Sequence, residues 1–447
     1  MMRSIVVVAL LVLVPVGAAS AGDQSDTYWP QWRGPLQTGV APKAKPPLEW
    51  SETKNVAWKV EIPGKGSATP VIWGDRIFVL TAIPTEVRGA APSAPEPDPP
   101  PGASGRRRGP RGITPKFAQQ FAILCISRKD GKVVWQRELR EELPHEGTHM
   151  TGTWASSSAT TDGERVYAFF GSRGLYALDM DGELLWEKDF GDMTIKLAFG
   201  EGSSPALHDG RLVVNWDHEG DSFIVALDAK TGDELWRKSR DEPTSWATPL
   251  VVEWDGKAQV VSSATNRVRS YDLATGELLW ETSGMTANVI PSPVHSDGLV
   301  YLTSGFRGNA LLAVRLAEAR GDITDTPAIA WSYDRDTPYV PSPLLYGDQL
   351  YFLKSNDGIL SAFDARTGGR HYGTRLEGVP NVYASPLGAA GRVYVAGREG
   401  AVAVIRSGPE FELLAVNQLD DGFDASPVAV DGELYLRGTH LYRISED

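Results

Sequence analysis

The feature that most constrains this chain is a short phrase it repeats. Tyr271–Trp280 reads YDLATGELLW: the end of a strand, a tight turn at Thr275-Gly276, and a second short strand closing on Trp280. The phrase recurs as ALDAKTGDELW at Ala226–Trp236, ALDMDGELLW at Ala177–Trp186 and CISRKDGKVVW at Cys125–Trp135, and in worn form as AFDARTGGRHY at Ala362–Tyr372. Every copy places a glycine four residues before the closing aromatic. Glycine supplies the positive φ of a tight two-strand turn, so the copies are one hairpin used repeatedly. A hairpin reused at a fixed period means a repeat architecture.

The period comes from a second signature. Units open with a small-polar-small signature: SATP at Ser67, SSSA at Ser156, SSPA at Ser203, ATPL at Ala247, PSPV at Pro291, PSPL at Pro341, ASPL at Ala384 and ASPV at Ala425. From Pro205 through Pro249, Pro293, Pro343 and Pro386 to Pro427 the steps are 44, 44, 50, 43 and 41 residues. Four short strands fit such a step, which is the size of a propeller blade. Small residues at each opening suit inner strands crowded about an axis. The second strand of seven units (RIFVLTA, RVYAFFG, RLVVNW, LVYLTS, QLYFLKS, RVYVAG, ELYLRG) alternates with period two. Only Ala310–Arg320 could be misread as helix, and its place in the repeat assigns it to a strand.

Eight openings predict an all-β, eight-bladed propeller of four-stranded antiparallel blades. The last unit, from Ala425, stops one strand short, while NVAWKVEI (Asn55–Ile62) is one strand too many at the start. Pairing the two closes the ring and removes exposed edges. A linear solenoid would instead need polar caps, and none is evident.

Around that body the chain divides further. Arg3 precedes the apolar run IVVVALLVLVPVG and an A-x-A site at Ala19–Ala21, which reads as a signal peptide over residues 1–21. The alternative is an uncleaved anchor. No cysteine lies near the cleavage site, so no lipid attachment is expected; the mature chain is expected to be periplasmic or secreted, with no membrane span and as a monomer. Residues 22–54, rich in Trp and Pro, read as an extended arm held by Trp29, Trp32 and Trp50, and 55–447 as the propeller. A Pro/Gly/Ala-rich insertion at Pro84–Lys116, with the Arg106–Arg108 cluster, reads as a disordered loop or a basic tether. The formal charge of −13 disfavours nucleic acid as a partner, and the single Cys125 forbids an internal disulfide.

The strand–TG–strand–Trp unit resembles the pyrroloquinoline-quinone enzyme repeat over nearly the whole mature chain. That repeat builds eight-bladed propellers in quinoprotein alcohol dehydrogenases, and also the propeller lipoprotein of the outer-membrane β-barrel assembly machinery, a scaffold without quinone. The resemblance therefore implies fold rather than activity. It implies that Trp58, Trp135, Trp186, Trp236, Trp280 and Trp331 dock between blades, and that the junctions at Tyr372 and Ala415, which depart from the pattern, pack less tightly. Pyrroloquinoline quinone (PQQ) with calcium would be the family's cofactor, but its ring of adjacent cysteines cannot form here, no haem-attachment motif is present, and no Asp matches the family's base.

Blade topology sorts the loops. The DG and TG turns share one face; the connections of strand two to three and of blade to blade share the other, where varied polar and aromatic residues collect. The candidate ligand-binding residues there are Trp154, Asp217, His218, Glu219, Trp246, Asn266, Arg267, Arg307, Asn309 and Arg335, with no catalytic residue assigned. His145 and His149 with Asp217–Glu219 could form a metal site, though their spacing matches no metal motif. Trp154 and Trp246 could stack on a planar ring or a sugar, or simply fill gaps. Arg267, Arg307, Arg335 and Arg398 could clamp a carboxylate, or pair with Asp241, Asp336 and Glu399. The reading is an exported, non-catalytic binding or scaffold propeller for a protein segment or small ligand. The alternatives are a PQQ-dependent dehydrogenase of alcohols or sugars, and a carbohydrate binder.

Overall fold

The computed structural model describes residues 26–89 and 113–446; the expected signal peptide and residues 90–112 of the insertion lie outside them. Eight antiparallel blades surround one axis, as the repeat predicts. Each blade takes its strands in chain order from the axis outward. The fifth, for example, runs Val294–Ser296, Leu299–Ser304, Ala310–Arg315 and Ile329–Tyr333. The eighth is the exception that closes the ring. Its inner three strands end with His440–Ser445, and its outermost strand is Val56–Glu61, paired antiparallel with Val60 opposite Leu441.

The opening signature has a specific physical use. In every blade the Ser or Thr just before the innermost strand accepts a hydrogen bond from the backbone N–H of its counterpart one blade earlier. Thr69 N donates to Ser158 Oγ at 2.9 Å, Ser158 N to Ser204 Oγ at 2.9 Å, Ser204 N to Thr248 Oγ1 at 3.0 Å and Thr248 N to Ser292 Oγ at 3.1 Å. Ser292 N then donates to Ser342 Oγ, Ser342 N to Ser385 Oγ and Ser385 N to Ser426 Oγ, each at 2.9 Å, and Ser426 N returns to Thr69 Oγ1 at 3.2 Å. The circuit is closed. The proline that follows in seven of the eight, from Pro70 to Pro427, fixes φ for the inner strand and removes a donor that the crowded axis could not satisfy.

The N-terminal arm traces a second loop beneath this one. It meets the residue three positions after the ring residue: Trp29 pairs with Ile72, Pro30 O accepts from Thr161 N, and Gln31 Oε1 from Leu207 N. Farther round, Gln37 Oε1 accepts from Val251 N, Thr38 O from Leu345 N, and Gly39 O from Gly388 N. Inner strands run from the ring toward the DG turns, so the arm crosses the turn face and stops the channel there. Trp29 and Trp50 are buried in the core, while Trp32 enters the channel and donates to Ser292 Oγ at 3.1 Å.

At the periphery the repeat tryptophans latch neighbouring blades. The indole N–H of Trp58, Trp135, Trp186, Trp236 and Trp331 donates to a carbonyl of the next blade at 2.9–3.2 Å. Each ring lies against the turn glycine of that blade: a Cβ at Gly131, Gly182, Gly232, Gly276 or Gly368 would stand 2.6–2.9 Å from the indole. These glycines thus serve positive φ and the latch together. Trp280 differs, because the corresponding turn of blade five is replaced by an excursion whose Gly321–Asp322 pairs in parallel with Trp280–Glu281; its N–H donates to Gln259 of its own blade. Tyr372 packs edge-on to Phe411 with its buried hydroxyl unpartnered, and Ala415 carries no donor, so those two junctions lack the latch bond.

Blade one also departs from the expected boundary. Its second strand runs Arg76–Arg88, past Pro84, and pairs with Phe117–Ser127 through a bulge between Pro84 and Arg88. The regular ladder therefore holds residues that composition alone assigns to the insertion.

Ser385→Ala should cost about 1–3 kcal/mol by leaving Ser342 N–H without an acceptor, whereas Ser385→Thr should keep the bond, as Thr69 and Thr248 do; chemical denaturation measures both. On the loop face, burial opposes ionisation of Asp421, but the N–H groups of Thr439, His440 and Gly422 outweigh it and hold its carboxyl below the usual range. A depressed folded value means that the stabilisation is full above the unfolded value of about 3.9 and is lost as pH falls through the folded one. Thermal melts should therefore show wild type losing more stability than Asp421→Asn below about pH 4; equal slopes would contradict this.

Candidate functional site

With the arm across the turn face, the channel is a blind cavity of about 460 Å³ opening on the loop face. Its lining sorts by chain position. Ring residues Ser204, Thr248, Ser292, Ser342, Ser385 and Ser426 contribute hydroxyls, and Trp32 contributes an indole from the arm. The loop-face connections contribute Phe199, Trp246, Phe306, Tyr339 and Tyr383, with His149, Glu201 and Asp424 as the titratable side chains. No lysine or arginine lines the cavity among the described residues.

The polar side chains at the mouth are already engaged. Glu201 accepts from Ser172 N at 2.7 Å and Ser172 Oγ at 2.5 Å, and Gly171 above it (φ +56°) leaves no room for a Cβ. Burial pushes the Glu201 carboxyl above its ordinary range, against the pull of Ser172, His145 and Arg173. Asp424 is held by Arg398, Nε at 2.6 Å and Nη2 at 3.2 Å, and that guanidinium lies 4.2 Å over the Tyr383 ring. His149 meets Phe199 edge-on at 5.0 Å and bonds Thr151 Oγ1 through Nδ1 at 2.8 Å. Phe306 and Tyr339 stack at 4.9 Å.

Of the ten residues singled out from sequence, Trp246 alone lines this cavity; its N–H donates to Gly200 O at 2.7 Å, leaving the ring as wall. Trp154 packs against the core between blades one and two and donates to Glu146 O. Asp217 is fully buried in a two-pronged pair with Arg240 at 2.7 and 3.1 Å, further bonded by Ser245 and Asn215. His218 and Glu219 bind backbone and Thr groups: Nδ1 of His218 accepts from Thr194 N at 3.0 Å, and Glu219 accepts from Thr244 Oγ1 at 2.8 Å. Asn266 N donates to Glu242, and Arg267 pairs with Asp322 at 2.8 Å. Arg307 is exposed over Phe306, Asn309 accepts from Thr337, and Arg335 is exposed near Asp334.

The histidines are likewise spread, His145 bonding Met193 O and His218 the Thr194 backbone; no group of three metal-ligating side chains occurs among the described residues. The residues present do not fit a tricarboxylate quinone with calcium. Among the described residues no guanidinium or ammonium lines the cavity to pair directly with its carboxylates, no acidic cluster faces it for the ion, and the one cysteine is buried inside a strand of blade one. Sequence reasoning missed the hydroxyl ring and Trp32. The available signal was the Ser or Thr recurring directly before proline, one residue type more than crowding alone requires.

Because Asp217–Arg240 is fully desolvated, Asp217→Ala should cost about 3–5 kcal/mol, while Arg335→Ala at the exposed rim should change stability by less than about 0.5 kcal/mol; urea titration compares them.

The fold recurs in solved structures. BamB from Moraxella catarrhalis aligns with TM-score 0.55 and 14% identity over 88% of this chain and 99% of its own. A europium-containing methanol dehydrogenase aligns with TM-score 0.61 and 10% identity over 93% and 90%. The quinohemoprotein alcohol dehydrogenase ADHIIG from Pseudomonas putida HK5 aligns with TM-score 0.56 and 11% identity over 93% and 76%. At such identities the likeness is one of fold, and no curated protein matches the chain. The sequence profile of the family described as outer membrane protein assembly factor BamB matches residues 120–288 and 220–447. With most of the propeller so matched, the chain belongs to that family of PQQ-type repeat propellers.

Proposed function

We propose that the chain is an exported, non-catalytic binding module that takes a protein segment or small ligand into the channel mouth, as part of outer-membrane protein assembly. The observation that carries this reading is the chemistry of the cavity. Aromatic walls above a hydroxyl floor suit an inserted side chain or a small polar body. Its carboxylates are occupied by Ser172 and Arg398, which leaves no free carboxylate base aimed at a bound alcohol. The family description supports the assembly role, and the N-terminal apolar run followed by Ala19–Ala21 supports export.

The test has two arms. The purified protein, mixed with PQQ and calcium, should acquire no bound chromophore and reduce no dye with a panel of alcohols. Deleting the gene should lower the amount of β-barrel proteins in the outer membrane, with Trp246→Ala restoring it less well than wild type. A bound quinone that turns over alcohol would replace this reading with the dehydrogenase.

A further inference from the structure

The ring residues leave something over. Each of the eight hydroxyls accepts the N–H of its neighbour, and none donates its own proton to a described protein group. All eight residues are at most 7% exposed, and six of them line the cavity, so the acceptors within reach of their protons are whatever the cavity holds. Buried donors call for acceptors, and the channel axis is where the acceptors would stand.

Two buried guanidinium groups flank the same ring. Arg33, 2% exposed, donates to Pro343 O and Pro386 O at 2.8 Å, the carbonyls directly after ring residues Ser342 and Ser385. Arg437, also 2% exposed, donates to Ala68 O at 2.6 Å, the carbonyl directly before ring residue Thr69, and to Leu80 O at 2.7 Å. In both the Nε is buried without a partner. Neither forms an ion pair with a carboxylate among the described residues, and burial alone lowers each to about 9. A buried cation without a counter-ion is costly, and a second one beside the same ring compounds the cost. The acidic side chains that line the cavity are spoken for: Asp424 by Arg398, Glu201 by Ser172.

We propose that the hydroxyl ring, with Arg33 and Arg437 behind it, binds one oxyanion on the channel axis, either a free inorganic ion or the carboxylate of a ligand that enters from the loop face. Converging O–H donors hold the anion, and the two guanidinium groups supply the positive potential. This rests on the cavity being a binding site and names the chemistry at its floor.

Trp32 in the cavity floor is a resident reporter. Titrating the full chain with sodium sulfate, against sodium chloride at equal ionic strength, should give a saturable change in tryptophan emission, and Arg33→Gln should raise the dissociation constant about tenfold. Sodium acetate forms the second arm: acetate binding more tightly than sulfate marks a ligand carboxylate, and the reverse marks a free inorganic ion. Should Arg33→Gln fail to fold, crystals of the wild type soaked in selenate decide, because anomalous density should appear on the axis between Ser292, Ser342, Ser385 and Ser426. No saturable response to either anion together with no axial selenate would overturn the proposal, as would selenate seen only at crystal concentration. The outer-membrane phenotype is read independently, by gene deletion and Trp246→Ala, so an absent anion response with that phenotype intact sinks this inference alone.

Discussion

The interaction on which the architecture depends is the N–H···Oγ bond passed from blade to blade around the axis. A sheet packed face to face with its neighbours has no inherent reason to stop at eight copies or to sit at one radius. A bond donated by each inner strand to the next sets that radius, since every donor has one acceptor and the last returns to the first. The side chain must be short enough to stay at the axis and must carry an oxygen. Serine and threonine meet both conditions; alanine meets only the first. The arm exploits the regularity, because residues three positions down each inner strand present amide groups at a common level, and one extended segment can visit them in turn.

Toward the rim the same neighbour logic is carried by tryptophan and glycine, with substitutions where the pattern breaks. Blade five exchanges its turn for an excursion that adds a fifth strand to blade four. At the junction where the chain ends meet, Arg128 of blade one bridges Asp431 and Glu433 of blade eight at 2.6 Å each, adding ionic contacts beside the Trp58 latch. Hydrophobic burial fills the spaces between blades, and the polar bonds set which blade lies against which.

The architecture was readable because its causes repeat. The turn glycine, the closing tryptophan and the proline-flanked opening each occur often enough to show a period, and the unpaired strand Asn55–Ile62 shows how the ends meet. The site was far less legible. Loop-face residues such as Asp217, Arg267 and Asn309 carry the residue types of a binding site but spend them on one another or on the backbone, and no local pattern separates an engaged arginine from a free one. Ser292 and Ser342 look like spacing residues in isolation; their chemistry comes from eight copies converging on a line. Trp32 is readable as an anchor, but its place in the channel follows from the path of the arm, which has no period. The end of the Arg76–Arg88 strand was obscured by composition, since Pro84 masks a ladder that resumes after a bulge.

The closure has a consequence in time. Val56–Glu61 is made nearly four hundred residues before its partner His440–Ser445. The hydroxyl circuit likewise lacks Ser426, its final member, until the carboxy-terminal unit exists. A partly synthesised chain can form individual hairpins but not the finished circle, so the cooperative structure is deferred until the eighth unit has been made. That delay keeps the polypeptide pliable for most of its synthesis.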